Sequence, residues 1–138
     1  MVIVDTSVGF KWFDISEQDY SEGKKLLNLH LAAEISINVP ELFFYEITNA
    51  WSTKSKLDIR GIKENFSELE KFKLNSVSVD FSLLSQAAGL SKTKSISVYD
   101  ASFIALAQEK ECDLVTADAK LVQKVNLPFV KLLSEYFI

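Results

Sequence analysis

Hydrophobic and polar positions in this chain follow two different periods, and the switches between them mark its elements. Val2-Ile3-Val4 is a short unbroken β-branched run, the pattern of a strand covered on both faces within a parallel sheet. Ser16-Glu17-Gln18-Asp19 has capping-box form and predicts the start of a helix whose apolar positions Leu26, Leu27, Leu29 and Leu31 cover one broad side. Ile35, Ile37 and Val39 alternate with Ser36 and Asn38, which predicts a second strand. Pro40 then fits the first turn of a helix over 41–56, where its missing N–H costs nothing.

A further amphipathic helix, from 59 or 62 to 74, follows from Ile62, Phe66, Leu69 and Phe72 with Lys and Glu between them. Val77 and Val79 alternate as a strand. Asp80 or Ser82 caps the next helix, with Leu83, Leu84, Ala87 and Ala88 on it and Gly89 marking its end or a close packing point. Residues 97–109 predict a helix, 114–116 a buried strand, 119–125 a helix, 128–130 a late edge strand and 132–137 a closing helix.

Strands alternating with helices imply right-handed βαβ crossovers. The expected architecture is a three-layer α/β fold with a central, mostly parallel sheet flanked by helices. Ligands of such folds bind beyond the carboxyl ends of the strands, where the topology reverses. A length of 138 residues suits one domain spanning 1–138. With 48% hydrophobic and 25% charged residues the chain has the balance of a globular protein. Its longest apolar stretches fall well short of the roughly 18 to 20 residues that cross a bilayer. The N-terminus reads as a strand rather than a secretory signal, so a cytoplasmic location is expected. Cys112 is the only cysteine and His30 the only histidine, which argues against thiol catalysis and against a zinc site. Net charge is −4, so the surface as a whole does not attract nucleic acid; an RNA substrate would depend on bound cations and local lysines or arginines.

Four carboxylates then become informative. Asp5 follows the first strand and Asp118 follows the 114–116 strand, so both project from the ligand edge of the sheet; each is also well placed to cap a helix. Asp100 lies on the apolar stripe formed with Ile96, Phe103, Ile104 and Ala107, and Ser97-Val98-Tyr99-Asp100 equally fits a capping box. Glu46 borders the stripe of Phe43, Ile47, Ala50 and Trp51, where a solvated glutamate is the ordinary alternative; Asn49, one turn along, can orient it or hold a metal-bound water. As a set the four would repel one another in a cleft unless a cation neutralised them, and Mg²⁺ or Mn²⁺ is the natural choice for an all-oxygen site.

Val2-Ile3-Val4-Asp5-Thr6-Ser7, Glu46-Ile47-Thr48-Asn49-Ala50, the run from Tyr99-Asp100-Ala101 to Ala107, and Leu114-Val115-Thr116-Ala117-Asp118 resemble the four motifs of PIN domains, in order and over essentially the whole chain. The resemblance implies a metal-dependent ribonuclease of the VapC toxin type. Asp5, Glu46, Asp100 and Asp118 would be the catalytic, metal-binding quartet for Mg²⁺ or Mn²⁺, with Thr6 or Ser7, Asn49 and Thr116 as supporting polar groups. It implies hydrolysis of RNA by a metal-activated water without a covalent intermediate. Some PIN domains carry a further acid after the fourth motif; Ala119-Lys120-Leu121 offers none, so a fully occupied second metal site is not implied.

The implied partners are RNA, a cognate antitoxin whose helix sends a basic side chain toward the acids, and a second copy of the chain. Phe43, Phe44 and Tyr45 support an interface, since three consecutive helical residues span about 200° and cannot share one core. Candidate phosphate contacts are Lys11, Lys54, Lys56, Arg60, Lys92 and Lys94. A haloacid-type phosphatase would carry a second Asp where Ser7 stands, and a phosphoacceptor domain finds no suitable Asp at Asn38 or Asp80. An RNA-processing PIN nuclease and a silent PIN-like interaction module are the remaining alternatives; the intact quartet argues against the second.

Overall fold

The computed structural model describes residues 1–137. The chain runs β1 (Val2–Val4), α1 (Thr6–Lys11), α2 (Tyr20–Leu31), β2 (Ile37–Pro40), α3 (Leu42–Thr53), α4 (Ile59–Lys71), β3 (Asn75–Val77), α5 (Phe81–Lys94), α6 (Val98–Glu109), β4 (Asp113–Thr116), α7 (Ala119–Val125) and β5 (Val130–Leu132), closing with a 3-10 turn at Leu133–Glu135. The strands form one sheet in the order β3-β2-β1-β4-β5, and every neighbouring pair is parallel. The expected α/β architecture is therefore present.

Chain direction explains where a site can form. From β1 the chain winds outward through β2 to β3, then returns to lay β4 on the other side of β1. Beyond the carboxyl ends of β1 and β4 the crossovers diverge and leave a crevice. Ile3 and Val4 of β1 and Leu114 and Val115 of β4 are fully buried beneath it, as strands covered on both faces require. In α6 every residue from Ala101 to Ala107 is buried, so this helix is enclosed rather than laid on the surface, and only its ends emerge. Asp100 stands at the N-terminal emergence.

Several boundaries differ from the sequence expectation. Ser16 does not cap α2, because its amide and hydroxyl both bond to Asp14 Oδ1 at 2.9 and 2.6 Å in a local turn. Asp19, with φ of 59°, precedes Tyr20 without a side-chain cap. Pro40 ends β2 opposite Val77 instead of opening a helix, and the Glu41 amide supplies the bond to Val77 O that Pro40 cannot make. The helix that follows stops at Thr53, not 56, as Ser55 Oγ turns back to Trp51 O and then accepts from the Leu57 amide. The next one, α4, ends at Lys71 rather than at 74, and β3 covers Asn75–Val77, leaving Val79 outside it. Gly89 lies inside α5 with open space around it, so it is neither a helix end nor a packing point. The last strand falls at Val130–Leu132, and the expected closing helix is the single 3-10 turn. The Asp80 cap forms as expected, its Oδ1 accepting from the Leu83 amide at 2.8 Å.

His30 is a structural bridge. The Ile37 amide donates to Nδ1 at 3.1 Å, which leaves the ring proton on Nε2 to reach Phe72 O at 2.8 Å. It ties α2 to β2 and to the end of α4. Cys112 is half-buried and unpaired.

Candidate active site

Asp5 is the first residue past β1 and the N-cap of α1. Its Oδ1 accepts from the Val8 amide at 3.3 Å and from Ser7 Oγ at 2.5 Å, while Oδ2 accepts from Thr116 Oγ1 at 2.5 Å. Capping therefore uses only part of this carboxylate's acceptor capacity. Thr116, the fully buried last residue of β4, also accepts from the Asp118 amide at 3.1 Å, and Ser7 Oγ accepts from the Ala117 amide at 2.9 Å. Two hydroxyls thus lock the end of β1 to the end of β4. Asp118 caps α7 through Oδ1 and the Leu121 amide at 3.0 Å, with its side chain exposed above the sheet.

The other two acids arrive on helices. Glu46, half-buried in the second turn of α3, accepts from Thr6 Oγ1 at 2.9 Å. Asp100, half-buried in the first turn of α6, donates its amide to Ser97 Oγ at 3.1 Å, so the Ser97 half of the capping box forms. Thr6 can reach Glu46 because α1 and α3 approach closely at Gly9. A Cβ there would lie 2.4 Å from Phe43 Cζ and 2.6 Å from Cε2. Sequence reading passed over Gly9; a glycine one turn after Thr6 in so short a helix was the available signal.

Charge links the four into one group. Burial pushes the Asp5 carboxyl up to about 6, with the Asp100 charge adding to the rise and hydrogen bonds from Ser7, Thr116 and Val8 opposing it. Burial, then Asp100, raises Glu46, against the Thr6 hydrogen bond and the Lys54 charge. Asp100 is itself raised by burial and by Asp118, with the Ser97 side chain acting the other way. The ion pairs among the described residues are Lys11–Glu17, Arg60–Glu64 and Lys71–Glu68, and none involves the quartet. Within the chain only the Lys54 charge acts on the group, through Glu46 and without an ion pair.

An all-oxygen donor set with one buried, uncompensated carboxylate fits a hard divalent cation. Among the described residues no three acidic, histidine or cysteine side chains converge tightly enough to enclose an ion unaided. The hydrogen-bond partner of Glu46 is Thr6 and not Asn49, which is exposed and lines a separate cavity with Phe44, Tyr45 and Thr48.

Beside the acids lies a cavity of about 410 Å³ walled by Thr6, Ser7, Phe10, Lys11, Lys54 and Asp118. Phe10 also borders a neighbouring cavity that holds Phe13, Trp51 and Lys56. Of the basic residues singled out in the sequence, Lys11 and Lys54 thus stand at the site, whereas Arg60 is exposed and paired with Glu64 at 3.6 Å. Lys92 and Lys94 lie in the last turn of α5.

Comparison with known proteins settles the family: the PIN domain description matches residues 2–126. The chain belongs to the PIN domain family. Solved PIN-like structures superpose over nearly its whole length. A toxin–antitoxin complex from Klebsiella pneumoniae gives a TM-score of 0.70 at 17% identity, covering 95% of this chain and 96% of that one. PAE2754 from Pyrobaculum aerophilum gives 0.70 at 18% identity, covering 96% and 90%. VapC20 from Mycobacterium tuberculosis, described as a sarcin-ricin loop cleaving toxin, gives 0.69 at 16% identity, covering 94% and 97%. At these identities the likeness shows the PIN fold. No curated protein matches the chain in sequence.

Proposed function

We propose that this PIN-domain protein is a Mg²⁺- or Mn²⁺-dependent endoribonuclease and the toxin half of a type II toxin–antitoxin pair acting in the cytoplasm. The observation that carries the reading is Asp5: a carboxylate 8% exposed, held by Ser7 and Thr116 at the β1–β4 switch point and joined by charge to Asp100. Burying an acid without a cationic partner is costly, and a metal site is the economical reason to do so. Family membership supports nuclease chemistry. The Klebsiella and Mycobacterium neighbours, a toxin–antitoxin complex and a sarcin-ricin loop cleaving toxin, support the toxin role.

In this reading Asp5, Glu46, Asp100 and Asp118 hold the ion. When bound, such an ion supplies a nucleophile by lowering the pKa of water and offsets charge on the phosphate. The chain's own groups prepare that chemistry. Ser7 and Thr116 fix both oxygens of Asp5, so no rotamer search precedes binding. Thr6 fixes Glu46. Ser97 anchors the first turn of α6 and thereby the position of Asp100.

Two protein partners belong to the same proposal. Tyr45 is 78% exposed beside half-buried Phe44, and Phe44, Phe66, Leu69 and Leu74 line an apolar cavity along α3 and α4. These surfaces support the cognate antitoxin and a second copy of the chain as partners. The protein should cleave RNA with Mn²⁺ or Mg²⁺, lose cleavage in EDTA and lose it in Asp100→Asn with the fold retained. Full cleavage in EDTA would overturn the metal-dependent reading, and light scattering of protein with and without the antitoxin tests the partners.

A further inference from the structure

The cavity beside the acids contains a charge that the metal chemistry does not use. Lys11 ends α1 with its side chain only 11% exposed, and its ion pair is a 3.4 Å contact to Glu17 on the loop before α2. A well-made charge-assisted bond is nearer 2.8 Å. Lysines are seldom buried, and a buried one held this loosely has spare capacity for a second anion. Lys54, the C-cap of α3, is exposed on the same cavity and close enough for its charge to act on Glu46.

The helices set the order of these groups. Asp5 caps one end of α1 and Lys11 closes the other, about 9 Å away at helical rise. Glu46 and Lys54 bear the same relation two turns apart along α3. Both helices therefore run from an acid at the crevice to a lysine on the cavity. A strand leaving the acidic cluster meets two cations next, with Phe10 walling the passage to a further aromatic cavity. Lysines interleaved with aromatic rings are how proteins track single-stranded nucleic acid. For a chain of net charge −4 such local cations are needed, since its overall field repels RNA.

We propose that Lys11 and Lys54 form a phosphate subsite beside the acidic cluster, which holds a backbone phosphate of single-stranded RNA, and that Glu17 occupies Lys11 until that phosphate displaces it. The proposal rests on the ribonuclease reading above and extends it to the path of the substrate.

The test is binding of a short fluorescein-labelled single-stranded RNA by anisotropy, without metal and with Ca²⁺, over a salt series. K54Q and K11Q should each weaken binding roughly tenfold, as loss of a charged hydrogen bond does. Each should also lower the slope of log affinity against log salt by about 0.7. E17Q should tighten binding, because it frees Lys11. A merely structural Lys11–Glu17 pair predicts the same direction of change for K11Q and E17Q. Lys54 is exposed, so K54Q keeps the test decisive if K11Q misfolds. Unchanged affinity and slope in K54Q, or weaker binding by E17Q, overturns the subsite.

Cleavage of the same RNA with Mn²⁺ separates the two ideas. If wild type cleaves while lysine variants bind equally well, the subsite falls and the nuclease stands; K54Q should instead raise KM and leave kcat. If binding depends on the lysines but no cleavage occurs, the nuclease reading falls and the phosphate site stands. If wild type binds no RNA in either condition, the subsite falls.

Discussion

The Thr116 hydroxyl donates to Asp5 Oδ2 at 2.5 Å across 111 positions of sequence. It accepts from the Asp118 amide at the same time, so one side chain orients two of the four acids. Thr116→Val keeps the shape and removes the hydroxyl. Mn²⁺ affinity by calorimetry should fall roughly 10- to 100-fold, the usual cost of losing a ligand's orienting partner. Affinity equal to wild type would show that Asp5 needs no such support.

A second prediction follows from the Asp5 carboxyl, raised to about 6 by burial. A carboxyl whose folded pKa exceeds its unfolded value makes the native state bind more protons between the two. Metal-free stability should therefore fall as pH rises from about 4 to about 6 and level off above, by roughly 3 kcal/mol from Asp5 alone. Glu46 and Asp100, also raised, add in the same direction. Asp5→Asn should melt higher than wild type at pH 7.5 without metal, and the difference should shrink toward pH 4. Thermal melts with EDTA across this range check it; a wild-type optimum at pH 7 would refute it.

Cleavage should lose rate on acidification, since a proton competes with the ion for Asp5, and the midpoint should move to lower pH as the metal concentration is raised. His30 takes no part in this, being bonded to Ile37 and Phe72 instead. His30→Ala should leave the pH midpoint unchanged yet destabilise the fold by about 1 to 3 kcal/mol, because the Ile37 amide loses its acceptor. A shifted midpoint in the rate profile would make His30 part of the chemistry.

Gly9→Ala places a methyl within 2.4 Å of the Phe43 ring, which is fully buried and cannot retreat. Overpacking of this kind costs about 1 to 3 kcal/mol. Separating α1 from α3 should also break the Thr6–Glu46 bond, so metal affinity should fall along with the melting temperature. A loss of stability with unchanged metal affinity would show that Glu46 is positioned by α3 alone.

Much of this was legible in the sequence because strong local signals agreed with the fold. The apolar runs Val2-Ile3-Val4 and Leu114-Val115 announced β1 and β4, and the acids after them pointed to the crevice. Four candidate acids could be named from the sequence, but not the hydrogen bonds that hold them. Thr6, Ser7 and Asn49 looked equally plausible as support, and only tertiary packing distinguishes a hydroxyl on Glu46 from an amide facing another cavity. Boundaries failed where a local side-chain bond competed with the helix, as at Ser16, or where proline ended a strand rather than starting a helix, as at Pro40. Lys11 could be named as a phosphate contact, but its burial left no trace in the sequence, since it comes from α2 and the Glu17 loop.

The knot of Asp5, Ser7 and Thr116 also has a temporal side. Its members come from the turn and helix just after the first strand and from a strand more than a hundred residues later, and they join only when β4 settles against β1. During synthesis the chain passes most of its elongation with Asp5 in place but without the hydroxyl that aligns it. The crevice is thus among the last features to mature, and a ribosome stalled before β4 has emerged would hold a nascent chain with an unassembled site.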